Sequence, residues 1–450
     1  MCGLFSFLIL TRARSVLCPF CLTASVSFCT YEARSLCLAG YSAGLARWSD
    51  FLNYAPPGRN GMNAQPELVW TENNEVRSRR WRTDHGSAVP KKVVLADDTM
   101  SADTAFRLAC EGTGLLWRGD FQNARQLLQA LARRIDKPKK PRSKKSDAMA
   151  PALPGAAFHT HRQAQAHRSR VLNQLLIELE GDDSIPLRRA PDARQACAQA
   201  LGPADGQPSV MSLRSLQGVI GAFEWRKNGV EVPALGEALR IHPHYGVFSP
   251  VRGEYVALVA KAPWPAAMKT HAVAFDIGVG TGVLSAVLAR RGAAKVVGTD
   301  MSDRALACAK DNLQRLGLQN QVQLEAADLF PIGQAALVVC NPPWLPARPT
   351  SLLDQAVYDE GSQMLKGFLA GLSTHLCTGG EGWLILSDLA EHLGLRTREE
   401  LMGWIDTAGL TVLGRIDAKP VHGKAQDATD PLHAARAAEV TSLWRLAVRG

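Results

Sequence analysis

A strand, a glycine-rich turn and a helix meet between residues 271 and 291, and nothing else in this 450-residue chain constrains the fold as tightly. The apolar run His271–Ile277 carries Asp276 near its end, Gly278-Val279-Gly280-Thr281-Gly282 follows, and Val283–Arg291 is patterned as a helix. Such a unit opens a doubly wound α/β sheet, whose ligands lie over the carboxyl ends of the strands. Glycines suit that turn because side chains would block a ligand lying against the backbone. A dinucleotide fingerprint, G-x-G-x-x-G/A, would require Gly or Ala at position 283, which is Val. The spacing is instead D-x-G-x-G-x-G.

The segments that follow extend the pattern. Lys295–Thr299 reads as a second strand ending in Asp300, placed to hydrogen-bond a ribose diol. Ser302–Leu316 is an amphipathic helix with a serine N-cap. Val322–Glu325 is a third strand leading to Ala327-Asp328-Leu329, and Ala335–Cys340 a fourth ending in Asn341-Pro342-Pro343-Trp344. Gly382–Ser387 reads as strand five, between helices at Met364–Leu376 and Arg398–Ala408. Thr411–Ile416 and Ser442–Val448 form a closing hairpin, and its polar connection, Lys419 to Glu439, is a candidate substrate loop.

Asn341–Trp344 is the most specific signal. A nitrogen conjugated to a carbonyl or an aromatic ring is a poor nucleophile because its lone pair is delocalised. The Asn341 side-chain oxygen and the Pro342 carbonyl can hold its two N–H groups and aim the lone pair, while Pro343 fixes the turn and Trp344 offers a stacking face. Cys340 reads as a strand residue, and no metal site is expected.

With these residues the segment from about 240 to 450 resembles the class I S-adenosylmethionine-dependent methyltransferases. His244-Tyr245-Gly246-Val247-Phe248-Ser249 is similar to the Gly-Val-Phe-Ser segment of their small-domain superfamily, which includes ribosomal RNA guanine and protein glutamine methyltransferases. The resemblance implies S-adenosylmethionine as cofactor, held by Asp276, Gly278, Val279, Gly280, Thr281, Gly282, Asp300, Asp328, Leu329 and Asn341. It implies methylation of an amide or exocyclic amino nitrogen. Leu345-Pro346 and Asp359-Glu360-Gly361 loosely resemble the release factor glutamine methyltransferases, whereas Pro250-Val251-Arg252-Gly253-Glu254 departs from their Arg-Pro-Glu-Thr-like element. A glutamine side chain of a protein is thus the favoured acceptor. Nucleic-acid base methylation is the alternative, and a degenerate binding module a third reading, opposed by the retention of Asp276, Asp300 and Asn341.

Net charge does not favour nucleic acid. Residues 231–450 carry 20 Lys+Arg against 22 Asp+Glu, so the formal +9 arises in the first 230 residues, with 31 against 20. Much of that excess lies in Arg133–Lys145, where prolines and like charges read as a tether. The expected organisation is a leader or over-extended start over 1–61 with Met62 as a candidate first residue, a small helical region over 62–136, a basic linker over 137–157, an accessory α+β region over 158–239 and the methyltransferase domain over 240–450. The fold class expected is α/β, a Rossmann-like sheet preceded by a mainly helical amino-terminal region. Helices are expected within Ser101–Arg134, broken at Gly112–Gly114, and at Val171–Glu180, followed by turns to Gly206. His159, His161 and His167 read as surface residues.

The first 61 residues offer weaker motifs. Cys18 and Cys21 form a lone C-x-x-C without the second pair of a closed zinc site. Gly40-Tyr41-Ser42-Ala43-Gly44 matches the nucleophile elbow, but too few strands precede it. Leu4–Leu10 is followed, not preceded, by arginines, the reverse of a secretory signal. No stretch has the apolar length of a membrane span. A monomeric cytoplasmic enzyme acting on a macromolecule is expected.

Overall fold

The computed structural model describes residues 66–83, 86–137, 155–251, 253–420 and 427–450. The C-x-x-C, the G-x-S-x-G, the leader and nearly all of the basic linker fall outside them. Residues 64–450 form one compact unit built on two large sheets.

The first sheet begins with a hairpin, β1 (Glu67–Glu72) and β2 (Glu75–Trp81). Its two-residue turn, Asn73-Asn74, has φ of 54° and 63°, the left-handed pair that a tight hairpin needs and asparagine tolerates. β3 (Lys92–Ala96), α1 (Ala102–Cys110), β4 (Thr113–Trp117) and α2 (Phe121–Asp136) follow. Then come α3 (Ala156–Leu172), β5 (Leu175–Leu179), α4 (Arg194–Leu201), β6 (Ser209–Ser212) and α5 (Leu213–Asn228). The strand order is β1-β2-β6-β5-β4-β3, with β3, β4 and β5 parallel.

This sheet corrects several expectations. Helical residues do predominate here, but they pack on a six-stranded sheet that the sequence reading did not foresee. Leu115 and Leu116, assigned to a helix, lie in β4, whose five residues are all buried. Leu175–Leu179 is likewise a strand, and α4 occupies a stretch expected to be turns. A short run buried on both faces shows no alternation, so periodicity cannot separate strand from helix. Nor are 62–136 and 158–239 separate regions, because β4 pairs with β5 and β2 with β6. Helix α3 also begins at Ala156, inside the span assigned to the linker.

A two-stranded ribbon, β7 (Val230–Glu231) and β8 (Arg240–Ile241), and α6 (Glu254–Lys261) lead to the second sheet. There β9 (Val273–Ile277), α7 (Val283–Arg290), β10 (Lys295–Asp300), α8 (Asp303–Arg315), β11 (Val322–Ala326) and β12 (Ala335–Cys340) fall within a few residues of the expected bounds. α9 (Gln363–His375), β13 (Leu376–Ser387), α10 (Leu389–His392), α11 (Arg398–Thr407), β14 (Leu410–Ala418), α12 (His433–Ala438) and β15 (Thr441–Val448) complete it. The order is β11-β10-β9-β12-β13-β15-β14, the first five parallel and β15 antiparallel to both neighbours. All six residues of central β12 are buried, and seven of the eight in α7. Burial on both faces explains the unbroken apolar composition of β12. Strand order reverses between β9 and β12, so a crevice opens where the glycine turn and Asn341 both emerge.

Candidate active site

Asp276 lies in β9 with 1% of its surface exposed, and its carboxylate accepts a 2.6 Å hydrogen bond from the Ser285 hydroxyl of α7. Burial pushes its pKa from 3.8 to about 6, the Ser285 bonds oppose that rise, and the charge of Asp300 adds to it. At β9's end the turn folds back over β10: the amides of Gly278 and Val279 both donate to the Thr299 carbonyl, at 2.9 and 2.8 Å. The Gly280 amide donates to Asp300 Oδ2 at 3.1 Å, and the Ser302 amide to Asp300 Oδ1 at 2.9 Å. Asp300 is half-buried, and burial raises its pKa as well. Two carboxylates therefore stand at adjacent strand ends, each destabilised in its charged form.

Gly278 has φ of 76°, and a Cβ there would lie 2.8 Å from the Met364 methyl carbon. Gly280 has φ of 53°, and an added Cβ would meet nothing closer than 3.9 Å. The turn is thus closed against α9 at its first glycine and open at its second, where a ligand has room to lie against backbone. Thr281 and Val279 are buried, and the Thr281 carbonyl accepts from Asn312 Nδ2 at 3.0 Å.

Asn312 is a site residue that the sequence reading missed. Fully buried, it also bonds the His242 amide at 2.7 Å and carbonyl at 3.3 Å, so it joins the 240–244 segment to the turn. Its signal was present: position 312 lies in the helical stripe of Ala305, Cys308, Ala309 and Leu313, an amide in an otherwise apolar face. His244 is fastened to the same helix through Asp311, 3.1 Å away, and burial lowers its pKa.

Leu329 adopts φ of 72°, uncommon for a branched side chain, and its carbonyl accepts from the Thr299 hydroxyl. Asp328 beside it is exposed, and among the described residues no side-chain hydrogen bond joins it to the turn or to Asn341. Across the sheet, Cys340 pairs in register with Ile277, which brings Asn341 level with Gly278. Asn341 Oδ1 accepts a 3.0 Å hydrogen bond from the Trp344 indole N–H. Pro342 is buried, while Pro343 and Trp344 are half-buried. Burial drives the Cys340 thiol well above its usual pKa, so it is held as the weakly nucleophilic thiol.

Beyond Trp344, Leu345 and Tyr358 form a backbone bridge that closes the intervening segment into a loop. Asp359 then caps α9, accepting from the Gln363 and Leu365 amides at 2.8 and 3.3 Å. Among the described residues no group of three or more His, Cys, Asp and Glu could hold a metal ion, and no helix is long and apolar enough to cross a membrane.

Comparison with known proteins agrees with this arrangement. The family described as ribosomal protein L11 methyltransferase (PrmA) matches residues 265–370, which hold both the glycine turn and the Asn-Pro-Pro-Trp segment. The carboxy-terminal sheet has the Rossmann-like fold of a methyltransferase. A release factor glutamine methyltransferase of Cereibacter sphaeroides is 28% identical over 165 residues, 33% of this chain and 57% of that protein. The corresponding Caulobacter vibrioides enzyme is 42% identical over 86 residues, 18% of this chain and 30% of the relative. A ribosomal protein L11 methyltransferase of Tolumonas auensis is 30% identical over 118 residues, 26% and 40% of the two chains. The chain thus spans less than two thirds of the length of each of these relatives.

S-adenosylmethionine is the cofactor of such domains, and the residues present fit it. The room over Gly280 suits a ligand close to the backbone, and the Asp300 carboxylate, which accepts from the amides of Gly280 and Ser302, has further lone pairs for a hydroxyl. The two destabilised carboxylates favour a cationic ligand.

The raised pKa of Asp276 has a measurable consequence. Between pH 3.8 and about 6 the folded methyltransferase domain retains a proton that the unfolded chain has released, so stability falls as pH rises through that window. The full cost at higher pH is on the order of 3 kcal/mol. Asp276→Asn removes the ionisation, so between about pH 4 and about pH 6 its stability in urea should fall less, or rise more, than the parent's, the two profiles diverging across that window. Parallel pH profiles for the two proteins would rule out this account of Asp276.

Proposed function

We propose that this protein transfers a methyl group from S-adenosylmethionine to a planar amide or amino nitrogen, and that its acceptor is a glutamine side chain of a protein. The observation that carries the reading is the placement of Asn341–Trp344 level with the glycine turn, across the one point where strand order reverses. Gly278–Gly282 and Asp300 would hold the cofactor, which supplies a methyl carbon already activated by its sulfonium. Asn341 Oδ1 and the Pro342 carbonyl accept the two N–H bonds of the acceptor, which turns the nitrogen lone pair towards the crevice. The Trp344 ring flanks the planar group. The contribution of the chain is alignment and exclusion of water rather than covalent catalysis.

The relatives' names support a protein acceptor, since release factors and ribosomal protein L11 are both proteins. The near-neutral charge of residues 231–450 is consistent with it. The proposed setting is the cytoplasm, with the protein acting as a monomer. Transfer of labelled methyl groups into a cell lysate, followed by separate protease and nuclease digestion, tests the reading. Label lost to protease and resistant to nuclease is expected. Label released by nuclease would overturn the glutamine assignment in favour of a nucleic-acid base.

A further inference from the structure

A cleft of about 1990 Å³ lies between the first sheet and the methyltransferase domain. Pockets that enclose small molecules are several times smaller, about 300–1,000 Å³. One wall is α5, whose Gly218, Gly221 and Ala222 face the cleft, with Trp225, half exposed, at the same side. A Cβ at either glycine would meet nothing within 4 Å. Glycine weakens a helix interior, and two of them here leave a shallow wall that another backbone can approach. Helix α3 supplies a second wall, and Lys91 and Lys92 lie exposed at the margin.

The cleft ends on the loop that follows the reacting segment. Leu352, Asp354 and Tyr358 line it, and Tyr358 is bridged to Leu345, the residue after Trp344. Arg162 of α3, itself in the lining, fastens that loop. Its guanidinium lies 4.1 Å from the Tyr358 ring centroid and donates to the Arg348 carbonyl at 2.8 Å. Phe158, one turn earlier, is buried against Leu345. The cleft therefore borders the loop that directly follows Asn341–Trp344.

We propose that this cleft receives an extended segment of the acceptor protein and delivers its glutamine to Asn341 past Tyr358. The inference rests on the glutamine reading and adds the surface that selects the acceptor. The walls decide between polymer classes. Glu111, Asp136, Asp354, Asp427 and Asp430 stand among seven lysines and arginines, and Arg168 and Arg436 are engaged by Asp136 and Asp430. A phosphate backbone would meet these five carboxylates and only a small excess of positive charge, part of it already paired, whereas nucleic-acid affinity grows with each lysine or arginine set against a phosphate. A polypeptide with mixed polar side chains pairs with both signs.

The test fills the cleft without touching the reacting residues. Gly218→Leu with Gly221→Leu replaces helix-weakening residues by a good helix former in open space, so the thermal midpoint should be unchanged or raised. Labelled methyl transfer is followed at graded concentrations of a dialysed, nuclease-treated bacterial protein extract. The half-saturating concentration of extract should rise about tenfold or more, with the limiting rate and S-adenosylmethionine affinity unchanged. Trp225→Ala should shift half-saturation in the same direction. Unchanged half-saturation in both variants, or a fall in limiting rate alone, overturns the cleft as the docking surface. Absence of label from protein with the unaltered chain instead removes the glutamine reading beneath it.

Discussion

Asn341→Ala should reduce the rate of methyl transfer by about a hundredfold or more while S-adenosylmethionine binding stays within a few-fold of the parent. The expectation follows from where the residue stands. Its side chain emerges at the end of β12 beside the glycine turn, and its only side-chain hydrogen bond among the described residues is to Trp344. Deleting it therefore frees one half-buried indole N–H and little else, so the cofactor cradle built on β9 and β10 is left alone. On the proposed reading, the acceptor loses one of two groups that would hold its nitrogen in the reactive orientation. Isothermal titration and single-turnover transfer, measured on the same preparation, separate the two effects. Turnover equal to that of the parent would remove Asn341 from the mechanism.

Asp300→Ala should act on the opposite term. A carboxylate that receives both hydroxyls of a ribose makes two charge-assisted hydrogen bonds, each worth about 1.5–3 kcal/mol. Loss of both weakens cofactor binding by about a hundredfold or more, read by isothermal titration against the parent. Part of the loss is structural, because Asp300 also accepts from the amides of Gly280 and Ser302. Asp300→Asn distinguishes the contributions: it keeps one acceptor oxygen and the volume, so an intermediate affinity is expected. An undiminished affinity in the alanine variant would exclude Asp300 from the cofactor site and, with it, the nucleoside orientation assumed here.

The methyltransferase sheet was legible because its signals are local. Asp276–Gly282 couples a strand, a turn and a helix within a dozen residues, and Ser302 caps α8 where a serine before an amphipathic run should. The first sheet was not, because β4 and β5 are five-residue strands buried almost entirely, and each also satisfies a helical template. Its hairpin did carry a readable mark in Asn73-Asn74. Within the site, Asp276 and Asn341 were visible from sequence, whereas Ser285 and Asn312 owe their roles to partners on other elements. The link between Asn312 and His242 spans 70 residues and exists only once α8 has docked.

The hydrogen bond from Trp344 to Asn341 bears on how many methyl groups one nitrogen receives. The indole N–H occupies one lone pair of the Asn341 oxygen and leaves the other for one N–H of a substrate. A primary amide brings a second N–H, for the Pro342 carbonyl. After one transfer and loss of a proton, the product nitrogen has a single N–H left. It can no longer satisfy both acceptors, so one of them is left without a substrate donor. On the proposed reading the site is a counter that stops at one, releasing the monomethylated amide rather than rebinding it for a second round.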